Sequence, residues 1–260
     1  MATAAELGNA LSSLCPNLHE LRIVECTNMP KLIRFVRAFG SSPSTLQSLR
    51  FESLYGSSLA LQNAIADRHS SLRSLTMLQC TMLHPTDVLD VSVLARLGSL
   101  EFLDLTKNMH HVGLQAVLSA CTRIRTLSMY TIHGAVDSSS LETLHLQSLP
   151  LRDLNALRTG SALPKLKAVF VDTAYLYPDA DWINRIADDI LALNVTTSKL
   201  HLLSGAPDSD IPLRVLEPLA GTDMAARLLT LAVHGVDLSV LTSDGFPERV
   251  LPTFFPNLTG

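Results

Sequence analysis

Nine histidines are the residues of this chain that could most readily do chemistry, as metal ligands or as acid–base groups. His110 and His111 are adjacent, but neighbouring side chains on an extended segment point to opposite sides, and no Cys or carboxylate stands at ligand spacing beside them. His145, His201 and His234 fall at outward-facing positions of apolar segments, where they could form a partly stacked column. We predict solvation or contact with a partner for these histidines, with no metal site and no cofactor.

Four cysteines, at positions 15, 26, 80 and 121, could act as nucleophiles or metal ligands. They are widely spaced, and no Cys-x-x-Cys pair occurs. Cys26 and Cys80 occupy one position of an internal repeat, and Cys15 and Cys121 occupy another. We therefore expect buried free thiols that pack as small apolar side chains.

An acidic cluster around Trp182 could provide a general acid and base or bind a cation. Its members are Asp179, Asp181, Asp188 and Asp189. The same spacing fits a helix with aspartates near its N-terminus, where the macrodipole favours them, and with a buried apolar stripe of Ile183, Ile186, Ile190 and Leu193. We favour the helix. With no glycine-rich phosphate loop and no Gly-x-Ser-x-Gly turn, the sequence indicates no catalytic residues and no enzyme.

Composition and charge narrow the classes of partner. The chain has 260 residues, of which 47% are hydrophobic and only 5% aromatic, so its core consists largely of leucine. A net charge of −4 provides no basic field for a phosphate backbone, which argues against nucleic acid. The N-terminus lacks the pattern of a secretory signal, and no run of 18 apolar residues spans a membrane. We expect a cytoplasmic protein, with the nucleus as an alternative.

The sequence contains an internal repeat of the pattern Leu-x-x-Leu-x-Leu, with a small or apolar residue three places later. Its copies are the segments that would position the residues named above. Successive clear copies begin 28, 26, 28, 24, 17 and 25 residues apart, at Leu18, Leu46, Leu72, Leu100, Ile124, Leu141 and Leu166. Two weaker copies lie near Leu200 and Leu228. The alternation predicts a short strand in each copy, with its leucines turned inward.

Helices are predicted between the strands. Leu32, Phe35, Val36 and Phe39 lie at the spacing of one helical stripe within the segment 30–39, which Gly40 ends. Segments 5–14 and 112–121 show similar patterns. A single repeat cannot bury its apolar face, so stacked neighbours must form the core.

We expect one domain over residues 1–260, with about nine repeats and a helical lead-in at 1–17. The turn-rich segment 131–140 is too short for a helix and predicts a break in the helical layer. Repeats become longer and irregular over 175–260. Phe255-Pro-Asn-Leu258 repeats the phrase Cys15-Pro-Asn-Leu18, so we expect this end either to be covered by a partner or to continue in something longer.

Two stretches, Leu11–Cys26 and Met109–Ile124, resemble the cysteine-containing class of leucine-rich repeat. This class is typical of the repeat domains of F-box proteins and of ribonuclease-inhibitor-like folds. The resemblance covers residues 5–175 well and the remainder loosely. It implies an α/β fold, a right-handed horseshoe with parallel strands on the concave side and helices or loops on the convex side, binding another protein on the concave strands. No F-box-like segment precedes the repeats.

The strand register predicts which side chains form the binding face. One outward row contains Arg22, Arg50, Thr76, Asp104, Ser128, His145, Phe170 and His201, and the next contains Val24, Glu52, Leu78, Thr106, Tyr130, Gln147, Asp172 and Leu203. Aromatic and arginine side chains dominate interface energetics. The candidate partner-binding residues are therefore Arg22, Arg50, Phe102, Asp104, Tyr130, His145, Phe170 and His201.

These features favour a non-enzymatic protein-binding module or scaffold subunit, possessing neither a nucleic-acid nor a membrane surface and acting alone or within a larger complex. The alternative is a substrate-recognition component of a ubiquitin ligase that lacks its own F-box.

Overall fold

The computed structural model describes residues 3–39, 46–54, 59–78, 90–106, 114–129, 136–146, 163–172, 199–203 and 222–234, with a few positions between 184 and 219. The chain divides into two compact units, Met1–Tyr130 and Thr131–Gly260. The boundary falls at the start of the segment 131–140, where the sequence predicts a break in the helical layer. The single domain expected from the repeats stays a prediction.

The first unit alternates helices and strands. In chain order, its described elements are α1 (Ala4–Leu14), β1 (Glu20–Val24), α2 (Met29–Phe39), β2 (Ser48–Glu52), α3 (Leu59–Arg68), β3 (Ser74–Leu78), α4 (Val91–Ala95), β4 (Phe102–Asp104), α5 (Leu114–Ala120) and β5 (Thr126–Met129). The helices predicted at 5–14, 30–39 and 112–121 are confirmed within a few residues.

Pairing between the strands of the first unit is parallel throughout, and each strand pairs with the next along the chain. Leu49, Leu75, Leu103 and Leu127 therefore stand in one row and are at most 2% exposed. This row is the inward face that the Leu-x-Leu alternation predicts. The α/β class with parallel strands is confirmed.

The second unit contains β6 (Thr143–Leu146), β7 (Ala168–Asp172), β8 (Lys199–Leu203), α6 (Asp223–Arg227) and β9 (Thr230–His234). Its strands also pair in parallel and in register. Leu144, Val169 and Leu200 form its inward row and are at most 1% exposed. Strands β8 and β9 confirm the two weaker copies of the repeat.

Part of the predicted helix near Trp182 lies within the described residues. Positions 184, 187–188 and 190–191 are helical. Ala187 and Ile190 are buried, whereas Asp188 is half-buried. These positions confirm helical structure there and the burial of Ile190, whereas Ile183, Ile186 and Leu193 of the predicted stripe lie outside the described residues. Asp179, Asp181 and Asp189 lie outside the described residues.

Local features start and pack the first helices. Thr3 caps α1 by accepting a hydrogen bond from the backbone of Glu6, whose carboxylate accepts one from Thr3 in return. Gly8 of α1 lies against the backbone of α2, where a Cβ atom would come within 2.7 Å of the Phe35 carbonyl oxygen. Only glycine allows this close approach.

A hydrogen-bond motif repeats where the chain passes from helix to strand. A residue just beyond the helix donates its backbone N–H to a carbonyl group in the last turn of that helix. Its own carbonyl group accepts a hydrogen bond from the backbone N–H of the residue three places later. Both bonds are formed by Cys15, His69, Leu97 and Cys121. His69, Leu97 and Cys121 are at most 2% exposed. This is the position that the sequence assigns to Cys15 and Cys121, and it is an apolar site of the core.

His69 is therefore a histidine in a place where other repeats have leucine or cysteine. Its ring lies 6.1 Å from that of Phe39. Burial lowers the pKa of the imidazole below its ordinary value, and the charge of Arg68 lowers it further, against the opposing effect of a hydrogen bond to the backbone of Val36. Folding thus favours the neutral ring.

The neutral state of His69 in the folded protein should affect how the free energy of unfolding depends on pH. As pH falls below the unfolded-state value of 6.5, the unfolded chain binds a proton that the folded chain excludes, so the free energy of unfolding falls until the folded-state pKa is passed. We predict that His69→Leu and His69→Gln both reduce this loss, as measured by urea unfolding between about pH 7 and pH 5. An unchanged slope in both variants would contradict the assignment.

Candidate functional site

Three rings form a contiguous series across adjacent strands of the second unit, with one stacked pair and one tilted pair. His145 of β6, Phe170 of β7 and His201 of β8 are partners in the strand register, so all three project from the same face. The centroids of Phe170 and His201 lie 4.2 Å apart with an interplanar angle of 25°. Those of His145 and Phe170 lie 5.9 Å apart at 57°. We call this group the His–Phe–His stack.

The spacing of the strands explains the stack. Neighbouring strands lie about 4.8 Å apart, which is close to the separation that aromatic rings prefer. Side chains at equivalent positions therefore meet ring to ring, and each restricts the rotamers of the next. All three residues are half-buried, so the strands hold the rings in place while part of their surface faces outward.

The expected histidine column differs from the one observed. His234 pairs in register with Leu203, whereas Ala232 pairs with His201. By register, the row of His201 thus continues to position 232, and His234 belongs to the neighbouring row. The prediction of a column of His145, His201 and His234 is wrong in its third member, because the alternation places His234 two residues beyond the stacked position.

A charged cluster stands on the outward face of the first unit. Glu52 of β2 accepts hydrogen bonds from the guanidinium groups of Arg22 at 2.6 Å and of Arg50 on its own strand. The side chain of Glu52 is 16% exposed, against 57% for Arg22 and 40% for Arg50. The carboxylate is thus enclosed by its partners, and the two arginines face solvent.

The arginines stabilise the charged form of Glu52. The hydrogen bond from Arg22 has the largest effect on the pKa of this carboxyl group, followed by that from Arg50, and together they hold it below the ordinary value. Two arginines share this one carboxylate, so neither guanidinium group has all of its N–H donors occupied by it. The cluster can offer guanidinium N–H groups to a carboxylate or a carbonyl oxygen.

Phe102 and Asp104 are the next predicted site residues along the first unit. Phe102 is half-buried on β4, in register with Ser74 and Thr126. Asp104 accepts hydrogen bonds from the backbone N–H of Thr106 at 3.0 Å and from its hydroxyl at 2.7 Å. These two bonds stabilise the turn after β4, so the geometry of Asp104 supports a structural role in addition to any contact with a partner.

The register separates the charged cluster from Asp104. Thr76 stands between Arg50 and Asp104, and Ser128 follows Asp104; each is 5% exposed. Small buried side chains at these places leave the larger arginine and aromatic side chains as the parts of the row that a partner can reach. Tyr130, the remaining predicted site residue, lies outside the described residues, as do His110 and His111.

The described cysteines are free thiols in three different environments. Cys121 is buried, Cys26 is half-buried, and Cys15 is exposed. The expectation that all are buried is confirmed for Cys121 and wrong for Cys26 and Cys15, and Cys80 lies outside the described residues. Cys15 is exposed because no strand precedes its repeat among those described. Burial raises the pKa of the Cys121 thiol to about 11, so it is protonated and unreactive at neutral pH.

Neither a metal centre nor a membrane span is found among the described residues. No group of three or more His, Cys, Asp or Glu side chains there is arranged to hold a metal ion. No helix in the same part of the chain is both long and apolar enough to cross a membrane.

His69 is the residue that analysis of single motifs missed. It follows α3 at the position that Cys15 and Cys121 hold in their repeats. The sequence signal that could have identified it is its place three residues before Leu72, the first leucine of the next copy of the repeat pattern. Aligning the repeats on their first leucine identifies it as a core position.

No protein-family model matches the chain, and no curated protein is significantly similar to it in sequence.

Titration of Glu52 tests the charged cluster. We predict that Arg22→Ala raises the pKa of the Glu52 carboxyl group toward its ordinary value, and by more than Arg50→Ala does, because the hydrogen bond from Arg22 is the larger cause. Carbon-detected NMR of the side-chain carboxyl resonance measures both shifts. Arg73→Ala removes an arginine that lies 3.8 Å from Glu101 instead, and should leave Glu52 unchanged. A Glu52 resonance insensitive to both Arg22→Ala and Arg50→Ala would contradict the cluster.

Thiol labelling tests the assignment of the cysteines. A chromogenic disulfide reagent should label Cys15 rapidly in the folded protein and Cys121 only after denaturation. Cys15→Ser should remove the rapid labelling at position 15 and leave Cys121 unlabelled until the protein is denatured. Peptide mass mapping locates the labelled residue. Rapid labelling of Cys121 in the folded protein would contradict its assignment as a buried packing residue.

Proposed function

We propose that this chain is a leucine-rich-repeat protein of the horseshoe type, and that the outward face of its strands binds another protein. In-register parallel strands, one inward leucine row per unit and a repeated motif between helix and strand support the fold. Each repeat contributes one residue to each outward row, so the face is a regular array of side chains.

The His–Phe–His stack is the observation that carries this proposal. Its rings are ordered by their neighbours before a partner arrives, which lowers the entropy cost of binding. Rigid aromatic surface is the type that contributes most at protein interfaces. A partner that stacks an aromatic or guanidinium side chain on these rings extends a series that the strands have already aligned.

The remaining polar groups favour binding over catalysis. Asp104 is engaged by Thr106, Glu52 by two arginines, and the thiol of Cys121 is protonated. These groups are held in structural pairs or buried, which suits a preformed recognition surface. The ubiquitin-ligase alternative rests on the family resemblance alone.

Affinity capture with the stack altered tests the proposal. The whole chain is immobilised, and proteins retained from a cell extract are quantified by mass spectrometry. We predict that Phe170→Ala lowers the affinity for the specific partner by about tenfold or more, which corresponds to at least ~1.4 kcal/mol. His201→Ala should weaken binding as well, since it removes the closest ring.

Phe35→Ala is the matched control, because it truncates another half-buried phenylalanine, on α2 of the first unit. It should retain the partner, and circular dichroism should show that both variants fold. Equal capture by the native chain, Phe170→Ala and His201→Ala would exclude the stack as the binding surface.

A further inference from the structure

The first repeat of the first unit is incompletely buried. Strand register makes Leu21 of β1 equivalent to Leu49 and Leu75, which are 1% and 2% exposed. Ile23 is likewise equivalent to Phe51, which is fully buried. Leu21 and Ile23 are only half-buried, so the inward row of the core reaches the surface at β1.

Helix α1 has the same property. The helix-to-strand motif aligns Cys15 with His69, and therefore Leu7 of α1 with Leu61 of α3. Leu61 is fully buried, whereas Leu7 is 52% exposed and Leu14 is 79% exposed. Leu14 aligns with Arg68, which is exposed as well, so the apolar side chains less buried than their counterparts are Leu7, Leu21 and Ile23. We call these three side chains the first-repeat face. Exposed apolar side chains gathered at one end of a unit indicate a contact surface.

The outer edge of β1 offers hydrogen-bonding groups beside this face. The carbonyl of His19 and the N–H of Glu25 point toward β2. Since the groups of a strand alternate in direction, those of Glu20, Arg22 and Val24 point to the opposite side. Strand β1 stands at the end of the order of described strands, so this edge can accept another strand.

We propose that the occupant is a second copy of this chain, with two β1 strands pairing antiparallel about a two-fold axis. Glu20 and Arg22 are exposed and stand on the same face, two residues apart. Antiparallel pairing that opposes Leu21 to Leu21 of the other copy sets each Glu20 against the other copy's Arg22. Two ion pairs and one leucine contact then form across the axis.

The charges of Glu20 and Arg22 favour this register over the neighbouring registers. A shift by two residues opposes Arg22 to Arg22, and in-register parallel pairing opposes like charges at both positions; each arrangement is destabilising. Arg22 can serve both partners, because a guanidinium group has five N–H donors and its bond to Glu52 uses one terminal nitrogen. The half-buried Leu21 side chains become covered in the same step. This association shares only Arg22 with the candidate binding residues named above, and it does not involve the His–Phe–His stack of the second unit.

Charge reversal tests the proposal through the oligomeric state. Sedimentation equilibrium of the whole chain should show a monomer–dimer equilibrium. Glu20→Lys and Arg22→Glu should each give monomers, because each opposes like charges across the axis. An equimolar mixture of the two variants should dimerise again. The introduced lysine of one chain then meets the introduced glutamate of the other, and the unaltered Arg22 of the first chain meets the unaltered Glu20 of the second.

The mixture also distinguishes loss of pairing between folded chains from loss of folding, because two misfolded variants would not form a dimer when combined. Arg123→Glu reverses an exposed charge at the turn before β5 and should leave the dimer intact. A native chain that remains monomeric at about 100 µM, well above the dissociation constants of ordinary specific complexes, overturns the proposal. A dimer that is unaffected by either variant also overturns it.

Disulfide trapping tests the register itself. In a background with the exposed Cys15 changed to serine, Leu21→Cys places two thiols across the axis, where Cα atoms lie about 4.5 Å apart and a disulfide can form. Ile23→Cys faces His19 instead and should not cross-link. Equal cross-linking of both variants, or of neither, would overturn the register.

Discussion

The structure depends on one constraint: an apolar strand face of a single repeat is buried only when the neighbouring strands hold the same register. Side chains alternate along a strand with a period of two residues, so a slip by one residue would turn every leucine outward. Parallel pairing of Leu21 with Leu49, and of Leu49 with Leu75, satisfies this condition in the first unit. Leu144, Val169 and Leu200 satisfy it in the second.

The same register determines what the outward face can do. Once the leucines are aligned, the residues between them must also stand in rows about 4.8 Å apart. Outward side chains on neighbouring strands then interact. The charged pair Arg22 and Glu52 does so diagonally, between two rows, and the rings of Phe170 and His201 do so within one row. Chemistry on the face is therefore a consequence of core packing, and a substitution in the core changes both.

The sequence predicted most of the fold because repeat spacing and alternation are local signals. The strands, the outward rows and the helices α1, α2 and α5 could all be predicted from these signals. Features that depend on a neighbour in space could not. Cys15 and Cys121 share a repeat position, yet of these two only Cys121 has a preceding repeat among the described residues to cover it. The engagement of Asp104 by Thr106 depends on side-chain rotamers that spacing does not determine.

The first described repeat and the repeats that follow it consequently have different surfaces. A repeat with described neighbours on both sides buries its leucine row, as at Leu49 and Leu75. Within the described strands, the row at β1 is covered on one side, so apolar surface and an open backbone edge lie together there. Alternating charges at Glu20 and Arg22 hinder indiscriminate strand addition at this edge. They also make it complementary to itself in one antiparallel register, so the same two side chains that limit aggregation can specify a closed dimer.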